Sequence, residues 1–330
     1  MRRNQLAAGC TAIVAALLFT ACEEAPAPTA PGTAIGEVTP VGGGAQPMLS
    51  TASAEDPAAE LAGMMDAMNV TLATNGLPYR VAMAEAITAA ESGEVGITVL
   101  AKDVGNKQLS FDFVPGDPRR EWSGAGGNAI TYAIDQTGDA VPPFGGLTGA
   151  QTTAAIVAAH GTWEAVTCSN LGQSQNPDFG LDIGVVAFQN GLGGGPFVFA
   201  DIQHAGWRDI NFASGILGVT FTFGFTDGGV FTDIDNNKKA DVAFREIYYD
   251  PSYSWANTGA ANVDVQSIAV HEIGHGLSQA HFGTVAYKND GRLQRSPFAV
   301  MNAIYSQPLQ VLQGTDNGGH CSNWAQWPNN

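Results

Sequence analysis

Apolar positions recur along the chain at two spacings, and together they predict an α+β fold. Helical spacing predicts helices over residues 60–68, 79–90 and 148–166. Short, mainly apolar runs predict strands at residues 96–100, 109–114, 130–134, 183–188, 197–202, 219–225 and 242–244. These elements divide into a small α+β N-terminal domain, residues 61–122, and a larger domain, residues 123–330.

The first residues follow a different pattern, that of a secretory signal peptide. Two arginines precede an apolar run over residues 6–19, which is too short to span a membrane. We therefore expect residues 1–21 to be removed and the mature protein to lie outside the cytoplasm. The run ends in residues 18–22, Leu-Phe-Thr-Ala-Cys, which resemble a bacterial lipobox. Cys22 would then carry lipid and anchor the protein to a membrane, and the alternative is a free secreted chain.

Composition separates a tether from the folded part and limits the partners. Residues 22–60 have few large apolar side chains and are rich in Ala, Pro and Gly, which is typical of a disordered tether. The whole chain holds 14 Lys and Arg against 31 Asp and Glu, a formal net charge of −17. Such an excess repels phosphate backbones, so we expect no nucleic-acid partner.

The four cysteines have different predicted roles. Cys10 lies in the signal peptide and Cys22 at the lipidation site, which leaves Cys168 and Cys321 as one candidate disulfide. Such a bridge would contribute on the order of 4 kcal/mol in the chain-entropy model. The alternative is two buried free thiols.

One short segment contains most of the residues that can do chemistry. His271 and His275 lie four residues apart on a predicted helix, so both rings project from one face and can share a metal ion. His281 can complete a three-nitrogen zinc site if the helix ends and the chain turns back. Glu272 is placed to act as general base on a zinc-activated water. The pattern predicts zinc-dependent hydrolysis of peptide bonds.

Residues 262–275 closely resemble the active-site helix of matrixins, within the metzincin metalloproteases. Downstream, Met301 matches the family's Met-turn, in which a Met lies beneath the zinc, and Tyr305 matches the Tyr that helps wall the S1′ pocket. Residues 240–244 and 253–255 are similar to the stretch that supplies the edge strand on which substrate pairs.

This resemblance covers roughly residues 127–305 and implies a metzincin-like catalytic domain, with a twisted mixed sheet, a long N-terminal helix and an active-site helix. It also implies an endopeptidase that acts on protein or peptide substrates, with His271, His275 and His281 as zinc ligands. The competing hypothesis is a catalytically silent zinc-binding surface or interaction module on the same scaffold. The intact Glu272 argues against that hypothesis.

The turn after the zinc helix departs from the matrixin pattern. Ser278 stands where the family usually has Gly, at a position that often needs a positive φ. Residues 282–300, 19 in all, separate the third His from the Met-turn, more than in a typical matrixin. The pair Asp290-Gly291 predicts an inserted turn there, near the substrate cleft.

The second departure from the matrixin pattern concerns the group that keeps the precursor inactive. Residues 23–167 contain no Cys, so the thiol that caps zinc in many matrixin zymogens is missing. If residues 61–122 form an inhibitory propeptide, another group must cap the zinc. The alternative is that these residues form a binding module.

A second metal site is predicted upstream of the zinc motif. Asp233, Asp235, Asn237 and Asp241 occupy the first, third, fifth and ninth places of a segment that resembles a structural calcium loop. The segment lacks the Gly and the closing Glu of a full EF-hand loop, so the alternative is an acidic hairpin turn.

Overall fold

A mixed β-sheet with helices on both faces organises the fold, and the predicted α+β class is confirmed. The computed structural model describes residues 40–42, 56–93, 95–100, 111–120, 122, 127–135, 146–178, 180–257 and 263–329. The helices are α1 (Pro57–Thr74), α2 (Gly149–Glu164), α3 (Val185–Gln189), α4 (Val265–Gly276) and α5 (Gly314–Trp324). The strands are β1 (Pro40–Gly42), β2 (Tyr79–Ala89), β3 (Ile97–Leu100), β4 (Phe111–Asp112), β5 (Ile130–Ile134), β6 (Gln173–Gln175), β7 (Ile202–Gly206), β8 (Ile216–Asp227), β9 (Val230–Phe231), β10 (Ala240–Tyr249), β11 (Trp255–Ala256), β12 (Val263–Asp264), β13 (Thr284–Tyr287), β14 (Leu293–Ser296) and β15 (Ile304–Tyr305).

The main path of the sheet runs β1-β3-β2-β8-β10-β7-β5-β6. Strands β6, β5, β7 and β10 are parallel to one another, whereas β8 is antiparallel to β10, and β2 is antiparallel to both β8 and β3. Three short strands pair beside this path: β4 with β10, β9 with β8, and β15 with β2.

Apolar side chains form a core on each face of the sheet. On one face, α2 and α4 pack through residues such as Ile156, Trp163 and Ile268. On the other face, α1 and α3 pack through Met65 and Val186, among others. The inner strands are therefore buried on both faces, which gives near-continuous rather than alternating apolar runs.

The helix predicted over residues 79–90 is wrong, because these residues form the long strand β2. Every side chain of β2 except Arg80 is buried. Alanine, which is frequent here, favours a helix locally, and continuous burial removes the alternation that marks a strand. Pairing with β8 and β3 overrides the local preference.

Two strand predictions are also wrong. Residues 183–188 contain the start of α3, because the backbone N–H groups of Val185 and Val186 each donate to the Glu246 carboxylate over 2.8 Å and so satisfy the helix start. Of residues 197–202, only Ile202 belongs to a strand, as the first residue of β7.

The position of the sheet edge differs from the one that the family resemblance implies. Residues 240–244 begin β10, which lies inside the sheet between β7 and β8. The strand that contacts the predicted general base is β8, because Thr220 Oγ1 donates to Glu272 Oε2 over 2.6 Å. The strand next to the predicted general base is therefore β8, which lies inside the sheet between β2 and β10.

Residues 61–122 and 123–330, which the sequence predicts as two domains, contribute strands to one sheet. Strand β2 is an inner strand of the sheet that also contains β8 and β10, and α1 packs in the same core as α3. The described residues all belong to one compact unit, Gly36–Asn330. The predicted signal peptide, Cys22 and most of the tether lie outside the described residues. None of the helices in the described part of the chain is both long and apolar enough to cross a membrane.

Cys168 and Cys321 form the predicted disulfide, with their Cα atoms 5.7 Å apart. The bridge connects the segment after α2 to α5, across 153 residues of sequence. Two tryptophan side chains also hold the C-terminal end of the chain against the rest of the fold. Trp324 Nε1 donates to the Leu277 carbonyl over 2.8 Å, and Trp327 Nε1 donates to the Asn128 carbonyl over 2.6 Å. The C-terminal helix therefore packs directly behind the end of α4.

Replacing both bridged cysteines, Cys168→Ala with Cys321→Ala, should lower the free energy of unfolding by about 2–5 kcal/mol, because the bridge restricts the unfolded chain. Urea denaturation of the purified protein measures the change. As a control, a reducing agent should shift the midpoint of the wild type and leave the double variant unchanged. Equal midpoints for the two proteins would show that the bridge does not stabilise the fold.

Candidate metal centre

Helix α4 begins at a fixed point and is buried along its whole length. Asp264 caps it, with Oδ2 accepting from the Ser267 backbone N–H over 2.9 Å. The helix then places His271 and His275 one turn apart, 1% and 0% exposed, with Glu272 beside them. A buried helix must satisfy its polar side chains from neighbouring elements.

The three predicted zinc ligands come together. The Nε2 atoms of His271, His275 and His281 lie 3.1 Å from one another in each of the three pairs. A tetrahedral zinc ion with Zn–N bonds of about 2.0–2.1 Å places its nitrogens roughly 3.3 Å apart. The triangle of nitrogens is therefore close to the size that zinc requires.

The outer ring nitrogens explain why a cation fits this triangle. His271 Nδ1 lies 2.7 Å from the Val300 carbonyl and His275 Nδ1 lies 2.8 Å from the Gln279 carbonyl. A carbonyl only accepts, so each ring carries its proton on Nδ1, and a neutral ring turns an Nε2 lone pair inward. Burial, together with the neighbouring rings, holds the pKa of His271 and of His281 well below the ordinary value, so both rings stay neutral.

His275 differs from the other two ligands. Burial alone would lower its pKa, but the carboxylate of Glu85, with Oε2 3.2 Å from Nδ1, raises it overall. A second proton on His275, at Nε2, can be donated to only one of the two neighbouring Nε2 atoms at a time. A metal ion, by contrast, accepts the lone pairs of all three Nε2 atoms together. The donor set therefore fits zinc.

The turn that delivers His281 is formed by Ser278. Helix α4 ends at Gly276, and Ser278 adopts a φ of 63°, the left-handed conformation predicted for this position. A non-glycine residue there costs on the order of 1 kcal/mol. Arg245, which is buried on β10, offsets that cost by donating to the Gly276 carbonyl over 2.7 Å and to Ser278 Oγ over 3.0 Å. Sequence reasoning missed Arg245, since nothing near the motif indicates it.

Glu272 keeps one carboxylate oxygen free. Its Oε2 accepts from Thr220, while Oε1 has no hydrogen-bond partner among the described residues. Burial raises the pKa of Glu272 to about 7, and the nearby Glu85 adds to this, against the opposing effects of His275 and Thr220. Gly218 of β8 lies against Oε1, where a Cβ would come within 3.0 Å. Glu272 is thus held at one oxygen and available at the other.

Met301, the predicted Met-turn residue, is fully buried and lies against Gly274 of α4, next to Trp163. The Val300 and Met301 backbone N–H groups donate to the Asp316 carboxylate over 2.9 and 3.1 Å. Asp316 belongs to α5, so the C-terminal helix fixes the segment that also supports His271. Sequence reasoning missed Asp316 because 15 residues separate it from Met301.

Tyr305, predicted to shape the substrate pocket, lies in β15 at the start of the zinc helix. Its hydroxyl accepts from the Asp264 backbone N–H over 3.0 Å. The inserted turn between His281 and Met301 is present as a hairpin of β13 and β14, with Gly291 at a φ of 77°. Its role near the substrate cleft stays a prediction.

The predicted calcium loop brings its carboxylates together, but the same oxygens already accept hydrogen bonds. Asp233, Asp235 and Asp241 each offer an oxygen within 4.8 Å of the others. The Asn237 and Lys238 backbone N–H groups both donate to Asp233 over 3.0 Å. Asp241 is paired with Arg119 at 2.7 Å. Both hypotheses, a calcium loop and an acidic turn, are compatible with this geometry, and calcium stays a prediction.

A scan against protein-family models finds no match to this chain, and a search of curated proteins finds none either.

Two substitutions at Ser278 test how the third ligand is held. Ser278→Val should weaken zinc binding about 10-fold or more, since a β-branched residue resists positive φ and the acceptor for Arg245 is lost. Ser278→Gly adopts the same turn freely and should bind zinc within a few-fold of the wild type. Competition titration with a chelator measures both affinities, and indistinguishable affinities would contradict this role of the turn.

Proposed function

We propose that the chain is a zinc-dependent endopeptidase of metzincin type, similar to matrixins. The observation that carries this proposal is the triangle of ring nitrogens, 3.1 Å on each side, next to a buried carboxylate with one free oxygen. A mixed sheet, a long helix α2, the buried helix α4 and Met301 beneath it are consistent with that family's domain.

The chemistry divides between the metal and Glu272. His271, His275 and His281 would hold a Zn²⁺ ion, which would supply Lewis-acid chemistry to the scissile carbonyl and to water at the site. Glu272 Oε1 takes the proton of the attacking water and then returns it to the leaving amine. Thr220 orients this carboxylate by holding Oε2 over 2.6 Å. A carboxyl pKa near neutrality suits both proton transfers.

Protein or peptide chains are the proposed substrates. The support for such substrates is the resemblance of residues 262–275 to the active-site helix of matrixins. The strand beside Glu272 is β8, whose Gly218 and Thr220 lie against the carboxylate and whose neighbours in the sheet are β2 and β10. The second candidate function, a silent zinc-binding module, requires a site that lacks its general base. Glu272 is present and positioned, which favours the enzyme.

We also propose that the protein works outside the cytoplasm, as a lipoprotein anchored through Cys22 or as a secreted chain. The signal-peptide pattern of residues 1–21 supports this location. The disulfide between Cys168 and Cys321 supports it independently, because such bridges persist in oxidising compartments.

The conservative substitution Glu272→Gln tests the proposed role of the general base. We expect one zinc ion per chain in both wild type and variant, and cleavage of an unfolded protein such as casein at least about 100-fold slower in the variant. Metal analysis and peptide release measure the two quantities.

The matched control is His275→Ala, which should lose zinc and cleavage together. A wild-type chain without zinc, or cleavage that persists unchanged in Glu272→Gln, would contradict the proposal.

A further inference from the structure

The hairpin of β13 and β14 is fixed to the candidate metal centre at its base. Its first strand begins three residues after His281. The Phe282 backbone N–H donates to the Met301 carbonyl over 3.1 Å. Asn302 Nδ2 donates to the carbonyls of Phe282 and Pro297 over 3.0 and 3.1 Å. Because both ends of the hairpin are bound to residues 301 and 302, its position relative to His281 is defined.

The hairpin extends from this base toward the predicted pocket residue. Tyr287, the last residue of β13, donates from its hydroxyl to the Ala90 carbonyl. Ala89, the residue before Ala90, pairs with Tyr305 of β15. The hairpin therefore reaches from the third predicted zinc ligand to within one residue of the strand partner of Tyr305.

The hairpin is basic although the protein is acidic. Residues 284–296 hold three cationic side chains, Lys288, Arg292 and Arg295, against one carboxylate, Asp290, whereas the whole chain has a formal net charge of −17. Arg292 is paired with Asp290 at 2.8 Å, and both side chains are exposed. Such a local reversal of charge attracts an anionic ligand to one place, because the rest of an acidic surface repels it.

Arg295 differs from the other two cations of the hairpin. It lies opposite Val285, which is 3% exposed, so its side chain projects from the face that packs against the protein. Its guanidinium carbon lies 4.6 Å from the centre of the Phe298 ring. Burial lowers the pKa of Arg295, and no carboxylate among the described residues opposes this effect. A half-buried cation without a counterion is costly, and a carboxylate that pairs with it offsets the cost.

The distance from Arg295 to the metal centre suits a side chain of a bound peptide. Val285 follows His281 by four residues, so their Cα atoms lie at most roughly 14 Å apart. An extended peptide covers that distance in about four residues. A carboxylate within a few residues of the cleaved bond can therefore reach a guanidinium that lies beside Val285.

From these contacts we infer that Arg295 selects peptide substrates that carry an acidic side chain close to the cleaved bond. Phe298 holds the guanidinium in place for a carboxylate. This inference rests on the proposed function and names its substrate class. An anionic bilayer fits the arrangement less well, because bilayers attract exposed cations and Arg295 projects from the packed face of the hairpin.

The first experiment compares the cleavage of two peptides by the full chain loaded with zinc. Both peptides contain the same casein-derived cleavage site, flanked on each side by Glu in one peptide and by Gln in the other. We expect kcat/KM of the wild type to be at least about 10-fold higher for the Glu peptide, because a charge-assisted pair forms at a half-buried guanidinium. In Arg295→Gln the two values should agree within about 2-fold.

The matched control is Arg292→Gln, which removes the same charge from the same hairpin but from a guanidinium already paired with Asp290. It should keep most of the wild-type preference for the Glu peptide. An equal loss of preference in both variants would show that diffuse charge selects the substrate, and the inference would be wrong. A wild type without any preference would overturn it too, while the endopeptidase stands. Zinc content and circular dichroism confirm that each variant is folded.

The second experiment measures binding and separates this inference from the proposed function. Fluorescence anisotropy gives the Kd of both labelled peptides for zinc-loaded Glu272→Gln, with and without Arg295→Gln. We expect the Glu peptide to bind at least about 10-fold more tightly than the Gln peptide, and only where Arg295 is present. Equal affinities would overturn the inference.

Two further outcomes are decisive. If Arg295 confers tighter binding of the Glu peptide but no preparation cleaves peptide, the endopeptidase proposal fails while the acidic-peptide site stands. If vesicles that contain an anionic lipid bind through Arg295 and the Glu peptide does not, the hairpin contacts a membrane and the inference is wrong.

Discussion

Three imidazole nitrogens, each 3.1 Å from the other two inside the protein, are the constraint on which the rest of the site depends. Burying polar rings costs free energy unless each polar atom has a partner. Backbone carbonyls of Val300 and Gln279 satisfy the outer nitrogens of His271 and His275. The inner nitrogens face one another, and a shared cation satisfies all three at once. Metal binding and the packing of this region are therefore coupled.

Each support of the centre comes from a different part of the chain. Asp316 of α5 holds the backbone that binds His271, Arg245 of β10 holds the turn that delivers His281, and Thr220 of β8 orients Glu272. The disulfide between Cys168 and Cys321 ties α5 into this arrangement. Glu85 of β2 adds a buried carboxylate, with Oε2 3.2 Å from His275 Nδ1.

Sequence predicts the parts of the site that are local. His271, Glu272 and His275 follow from helical spacing, and the Ser278 turn follows from the need to bring His281 back. Thr220, Arg245 and Asp316 could not be predicted, because they depend on sheet order and on the docking of α5. Strand β2 was missed for a related reason: its alanines favour a helix, and only pairing with two neighbours makes it a strand. Glu85 was hidden by that error.

The proposed function depends on the binding of zinc through three histidines, His271, His275 and His281. X-ray absorption at the zinc edge, on the full chain loaded with one equivalent of zinc, tests it most directly. Zinc bound in this way should show three imidazole nitrogens at about 2.0–2.1 Å in the wild type and two in His281→Ala. A wild-type spectrum without imidazole ligands, or one that His281→Ala leaves unchanged, would contradict it.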